Sequence, residues 1–175
     1  MSAARQIIKD GSVVSDDWTL LRPEADSAPE QVAVPAGKVI VPLKVWRAQR
    51  EALHPRADIG VWFASDERAE DLGDDANTLP LIAIDFPKFA DGRGYSIAHY
   101  LRVRLGYRGE LRAIGDVLRD QMFYMRRIGF NAFAVREDKD IHAAAASLRD
   151  FSTSYQASAD EAEPLFRRVR REATA

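Results

Sequence analysis

The chain of 175 residues has no cysteine, which removes a disulfide frame, a thiolate nucleophile, a cysteine-held zinc and a self-ligated iron–sulfur cluster. Histidine is scarce. His54, His99 and His142 show no metal-ligand spacing and read as surface or rim residues. Charge of one sign is missing too: 25 Lys+Arg stand against 27 Asp+Glu, net −2, so no overall field draws the protein to nucleic acid or an anionic membrane. No apolar run approaches the roughly 18 residues of a membrane span. The start, Met1 to Arg5, lacks the apolar core of a signal peptide, and a cytoplasmic location is expected. No cofactor motif is evident and no metal site is expected.

What is present is an ordinary globular composition, 46% hydrophobic and 30% charged, in a chain of single-domain length over residues 1–175. Residues 1–38 read as a β-hairpin and a proline-rich lead-in. Gln6 to Val14 alternates around Asp10-Gly11, a turn pair that tolerates positive φ, and Pro23, Pro29 and Pro35 punctuate the stretch after Trp18. Val39 to Val41 predicts a short buried strand, and Leu43 to Leu53 a helix stopped before Pro55.

From residue 58 to 151 short apolar runs alternate with segments of helical period. The runs are Ile59 to Phe63, Leu79 to Ile84, Leu111 to Ile114 and Asn131 to Val135; helices are predicted near 66–72, 94–105, 117–128 and 140–151. The fold expected is α/β, a mostly parallel sheet with right-handed crossovers, either open and doubly wound or a partial barrel. A last helix is expected from about Ala159, ending in the basic run Phe166 to Arg171, where the helix dipole accounts for the charge more simply than nucleic acid does.

In a parallel sheet, ligands meet the loops that leave the carboxyl ends of the strands. Those loops would bring together Asp85, Lys88, Asp91, Arg93, Asp116, Arg119, Asp120 and Arg136, with Tyr95 and Ser96. Gly92-Arg93-Gly94 opening a helix could present backbone N–H groups and a two-donor fork to an oxyanion, or could serve turn geometry alone. Asp116 stands where an N-cap would stand. Asp85, after an apolar strand, is the candidate catalytic base, or else the salt-bridge partner of Arg93 or Arg119. Asp85, Asp116 and Asp120 have the chemistry to hold a hard cation, but spacing fixes no distances among them.

In the helix from Val117 the apolar stripe is Val117, Leu118, Met122, Tyr124, Met125 and Ile128, leaving Phe123 among Arg119, Arg126 and Arg127 on the other side. An aromatic among arginines is either an interface anchor, for instance of a homodimer, or a face covered by the chain itself, such as the amino-terminal hairpin.

The runs Ile84 to Ser96, Tyr107 to Gln121 and Phe123 to Phe133 together resemble the bacterial family of unknown function DUF934, over most of the chain and most closely from about Pro80 to Val135. Members of that family are typically encoded beside assimilatory sulfite reductase, so the resemblance implies an accessory of sulfite or sulfate reduction. Ile128 stands where the family often has Cys, and Asn131 where it often has Asp. The resemblance brings no catalytic residues. Three readings are open: an accessory that binds sulfite reductase or a small oxyanion of its pathway; a small enzyme acting on a phosphorylated or sulfated metabolite, with Asp85 as base and Arg93 and Arg119 on the anion; and a structural homodimer using Phe123.

Overall fold

A computed structural model of the protein describes residues 5–168, so Met1 to Ala4, and Val169 to Ala175 with the end of the basic run, lie outside the described residues. β1 (Gln6–Lys9) and β2 (Ser12–Ser15) form an antiparallel hairpin. Its turn residues Asp10 and Gly11 both have positive φ, 49° and 81°, the twist that a two-residue hairpin connection requires. β3 (Thr19–Leu20), β4 (Val39–Pro42), β5 (Ile59–Phe63), β6 (Leu81–Phe86), β7 (Glu110–Gly115) and β8 (Ala132–Phe133) then pair in parallel, each with the next, and β1 closes on β8 antiparallel. One eight-stranded sheet results, in the order β2-β1-β8-β7-β6-β5-β4-β3.

Because the parallel strands succeed one another in chain order, every right-handed crossover steps the same way and sets its helices on the same face. That face carries Val41, Val61, Phe63, Ile82, Ile84, Phe86 and Ala113, packed against Trp46, Ile97, Leu101, Met122 and Met125. The helices on this side are α1 (Leu43–Ala48), α2 (Arg50–Leu53), α3 (Arg93–His99), α4 (Arg119–Ile128) and α5 (Ile141–Ser147).

The opposite face carries no helix among the described residues yet is buried, with Ile7, Ile40, Leu81, Ala83, Ile114 and Ala134 packed against Trp18, Leu20 and Trp62. Curvature explains this. Laid flat, strands about 4.8 Å apart would hold β2 and β3 about 34 Å from each other. Thr19, however, comes four residues after Ser15, a reach of at most about 14 Å. The sheet is therefore curled into a half-barrel whose own side chains fill the concave side, which decides between the open sheet and the partial barrel.

A charged group sits in that interior. Arg112 on β7 donates from Nε to Glu110 at 2.7 Å and from Nη1 to Asp16 at 3.0 Å. Both Arg112 and Asp16 side chains are almost wholly buried, and Lys9 reaches Glu110 at 2.8 Å. Asp16 lies on the link between β2 and β3, so the pair ties that link to the inside of the sheet.

Several helices differ from expectation. In place of a helix near 66–72 there is a short 3-10 turn, Ala69–Asp71, and a second, Gly73–Thr78, follows it. α3 passes into a π-helical turn, Tyr100–Arg104. The helix after Pro42 breaks at Gln49, whose side-chain amide donates to the carbonyls of Pro29 and Val32 and pins the proline-rich lead-in. α5 starts at Ile141 because the Asp140 carboxylate accepts from the N–H groups of His142 and Ala143. No helix begins at Ala159; a single turn, α6 (Leu165–Arg168), comes later. No helix among the described residues is long and apolar enough to cross a membrane.

Candidate functional site

The parallel pairing from β4 to β8 brings the loops after β5, β6, β7 and β8 to one end of the sheet, as the strand pattern predicts. Asp85 is the fifth residue of β6. Its neighbours Ile84 and Phe86 point to the helices, so alternation turns Asp85 inward. There Arg22 donates from Nη2 to Oδ1 at 2.7 Å and from Nη1 to Oδ2 at 3.4 Å. The Arg22 guanidinium carbon lies 4.9 Å from the ring centre of Trp62, and the Trp62 indole N–H donates to the Leu21 carbonyl at 3.0 Å. Asp85 thus has the arginine partner weighed for it, but from the proline-rich lead-in rather than from Arg93 or Arg119. Neither Arg22 nor Trp62 was marked by any motif; pairing across 63 residues leaves no local signal.

Gly115 completes this corner. Its φ of +89° and the closeness of Phe86 O and Asp85 Oδ1, the latter 2.7 Å from where a Cβ would stand, leave room for no side chain.

Arg93 turns back on its own loop. Its Nε and Nη2 donate to the two Asp91 oxygens at 3.0 Å and 2.7 Å, and Nη2 also donates to the Ser65 hydroxyl at 2.8 Å. Arg93, and after it Ser65, holds the Asp91 carboxyl well below the usual carboxylate range. Gly94 has a packing reason: a Cβ there would stand 2.8 Å from the Phe86 ring and 2.9 Å from Ile84. Gly92 has no such neighbour and a negative φ, −86°. Beside α3 a cleft of about 420 Å³ is lined by Ser65, Glu67, Arg68, Arg93, Ser96 and Tyr100. Burial there pushes the Glu67 carboxyl up, although its Oε2 accepts from the Ala64 N–H at 2.7 Å.

Asp116 is not the N-cap of α4. Leu118 holds that position without a side-chain bond, because β7 runs on to Gly115 and Asp116 N–H is taken by Phe86 O. The Asp116 carboxylate instead accepts from Phe89 N–H at 2.9 Å and from Arg136 Nη1 at 2.9 Å, and Arg136 also grips Asp138. Arg119 reaches Asp150 at 3.5 Å. Lys88 and Asp120 are exposed and make no ion pair among the described residues. No three carboxylates or histidines among the described residues converge there as a cation site.

On α4 the predicted stripe shifts: Tyr124 is 54% exposed whereas Arg127 is 9% exposed. The cause lies after α5. Phe151 packs on Phe123 with ring centres 4.9 Å apart, and Arg127 donates to the Gln156 carbonyl and pairs with Asp160 at 3.4 Å. Arg126 lies over the Phe123 ring at 5.1 Å. The covering segment is thus the chain's carboxyl-terminal part, not the amino-terminal hairpin.

Aromatic rings form a relay from the core to the surface, Phe130 to Phe86 at 5.8 Å, Phe86 to Tyr95 at 5.2 Å and Tyr95 to Tyr124 at 5.2 Å. Phe89, 51% exposed, is set beside α4 by the Gln121 amide, which donates to its carbonyl at 3.0 Å. Phe89 and Tyr124 were not singled out as site residues by the sequence; a helical stripe assigned Tyr124 to the core.

No curated protein and no solved structure matches the chain. The sequence model of one family, described as bacterial protein of unknown function (DUF934), matches residues 60–166, from β5 through the segment that covers α4. The chain belongs to that family.

Proposed function

We propose that the protein is a non-catalytic accessory of assimilatory sulfite reduction that docks on sulfite reductase through the 85–96 loop and the first turns of α4. The observation that carries this reading is the internal neutralisation of the carboxyl-end charges: Asp85 with Arg22, Asp91 with Arg93, Asp116 with Arg136 and Arg119 with Asp150. A small oxyanion entering this face would have to displace a carboxylate from each arginine, and Asp85 would have to leave Arg22 before accepting a proton. What the face offers instead is Phe89 and Tyr124 standing out of a frame of paired charges, with Lys88 alongside. Protruding aromatics inside a polar rim suit a protein partner. Sulfite reductase as that partner rests on the family's association with its genes.

The test is co-elution of the purified chain with the sulfite reductase haemoprotein of the same organism. The unaltered chain is expected to co-elute, and a Phe89→Asp, Tyr124→Asp variant to elute alone with its fold intact, since both side chains are exposed. Equal co-elution of the variant would remove this face from the contact.

A further inference from the structure

Two arginines that make no ion pair among the described residues lie at the opposite end of the sheet. Arg126 is in the last turn of α4 and Arg149 lies just past α5, and helices antiparallel to the strands end where the strands begin. Among the described residues neither makes an ion pair, in contrast to Arg119 and Arg127 on α4, which meet Asp150 and Asp160.

Arg126 and Arg149 flank a half-enclosed cleft of about 440 Å³. Its floor is Phe130, Phe133 and Leu148, all buried in the core, and its rim is Asp10, Gly11 and Asn131. Arg108, also without an ion pair among the described residues, joins Arg126 in lining the adjoining cleft. Helix dipoles favour arginine at these ends, but a dipole does not call for two arginines without ion pairs beside a shared apolar hollow, and the Arg126 guanidinium rests 5.1 Å from the Phe123 ring centre at the edge of that hollow.

The hollow falls in the lower part of the size range of small-molecule sites. Its chemistry pairs two positive forks with an aromatic and aliphatic floor. The Asn131 amide is already engaged: Oδ1 accepts from Leu111 N–H and Arg102, and Nδ2 donates to Asp10. Asp10 is the one acid among the residues that line the cleft, and its Oδ1 accepts from the Asn131 amide.

We infer that this cleft binds an organic anion, a carboxylate or phosphate ester that carries a flat or apolar group. Arg126 and Arg149 take the charge, and Phe130, Phe133 and Leu148 take the body. The site is at the other end of the sheet from the docking face and stands or falls independently of it.

The experiment titrates the full chain with phenyl phosphate and with inorganic phosphate, tracking backbone amide signals by NMR. Phenyl phosphate is expected to saturate, to move the Gly11 and Asn131 amides and to bind more tightly than inorganic phosphate. Arg126→Gln and Arg149→Gln are each expected to weaken it by about tenfold. Arg149→Lys, which keeps the charge and loses the fork, should fall between, and Arg93→Gln at the far end should change nothing. Absence of saturable binding, or binding unchanged in the Arg126→Gln, Arg149→Gln double variant, would overturn the inference. So would equal affinity for the two anions, since the apolar floor would then contribute nothing.

Discussion

At the scale of single residues, Ile128 and Asn131 both serve the fold, one by packing and the other by hydrogen bonding. Ile128 is buried in the helix-side core, where a cysteine would act as a smaller apolar side chain. Asn131 accepts from Leu111 N–H and from Arg102, roles an aspartate would fill equally, but its N–H group also meets Asp10, which an aspartate would repel. Glu67 supports a prediction about pH. Burial raises its carboxyl above the ordinary value of 4.5, so the folded state holds the proton more tightly than the unfolded state does. Stability contributed by Glu67 therefore falls as pH rises from 4.5 through the raised value. Urea unfolding of the unaltered chain and of Glu67→Gln should show the difference between them moving against the unaltered chain over that interval; a difference that is flat or moves the other way contradicts the assignment.

At the scale of elements, the fit of α3 on β6 depends on one missing side chain. Gly94 lets the helix approach Phe86 and Ile84 to within contacts that a Cβ would violate. Gly94→Ala gains helix propensity of about 1 kcal/mol but overpacks a core contact, at a cost of about 1–3 kcal/mol. A net loss of stability is expected in denaturant titration, whereas a gain would mean that α3 shifts freely.

The strands were legible at this scale because alternation and β-branching are local: β1, β2, β4, β5 and β7 lie within a residue or two of where the runs put them. The register of α4 was not, because Arg127 is buried by residues 156–160, and nothing within the helix announces a cover that arrives from 29 residues away. The acids and arginines of the carboxyl end were legible as a set but not as pairs. Arg22 comes to Asp85 from a stretch whose prolines mark it as a loop and say nothing of where it lies.

At the scale of the whole molecule, the half-barrel depends on the connection that joins its two edges. Trp18 and Leu20 fill the concave side next to Trp62, and the Arg112 pair with Asp16 fastens the link between β2 and β3 from within. Burial of both partners makes the pair costly to break from one side. Arg112→Met would leave the buried Asp16 with only the 3.8 Å contact to Arg5 and Glu110 with only Lys9, and a loss of about 3–5 kcal/mol is expected by urea unfolding. A loss under about 1 kcal/mol, the value of an exposed ion pair, would show that the interior is open to water and the sheet less curled.

Charge obeys the same large-scale division. The carboxyl end is neutralised in pairs around exposed aromatics, while Arg126 and Arg149 at the other end make no ion pair among the described residues. The docking claim is tested most directly by hydrogen exchange of the full chain with and without the sulfite reductase haemoprotein. Slowed exchange confined to residues 87–92 and the first turns of α4 is the predicted result. Unchanged exchange there, with protection elsewhere or nowhere, would contradict it.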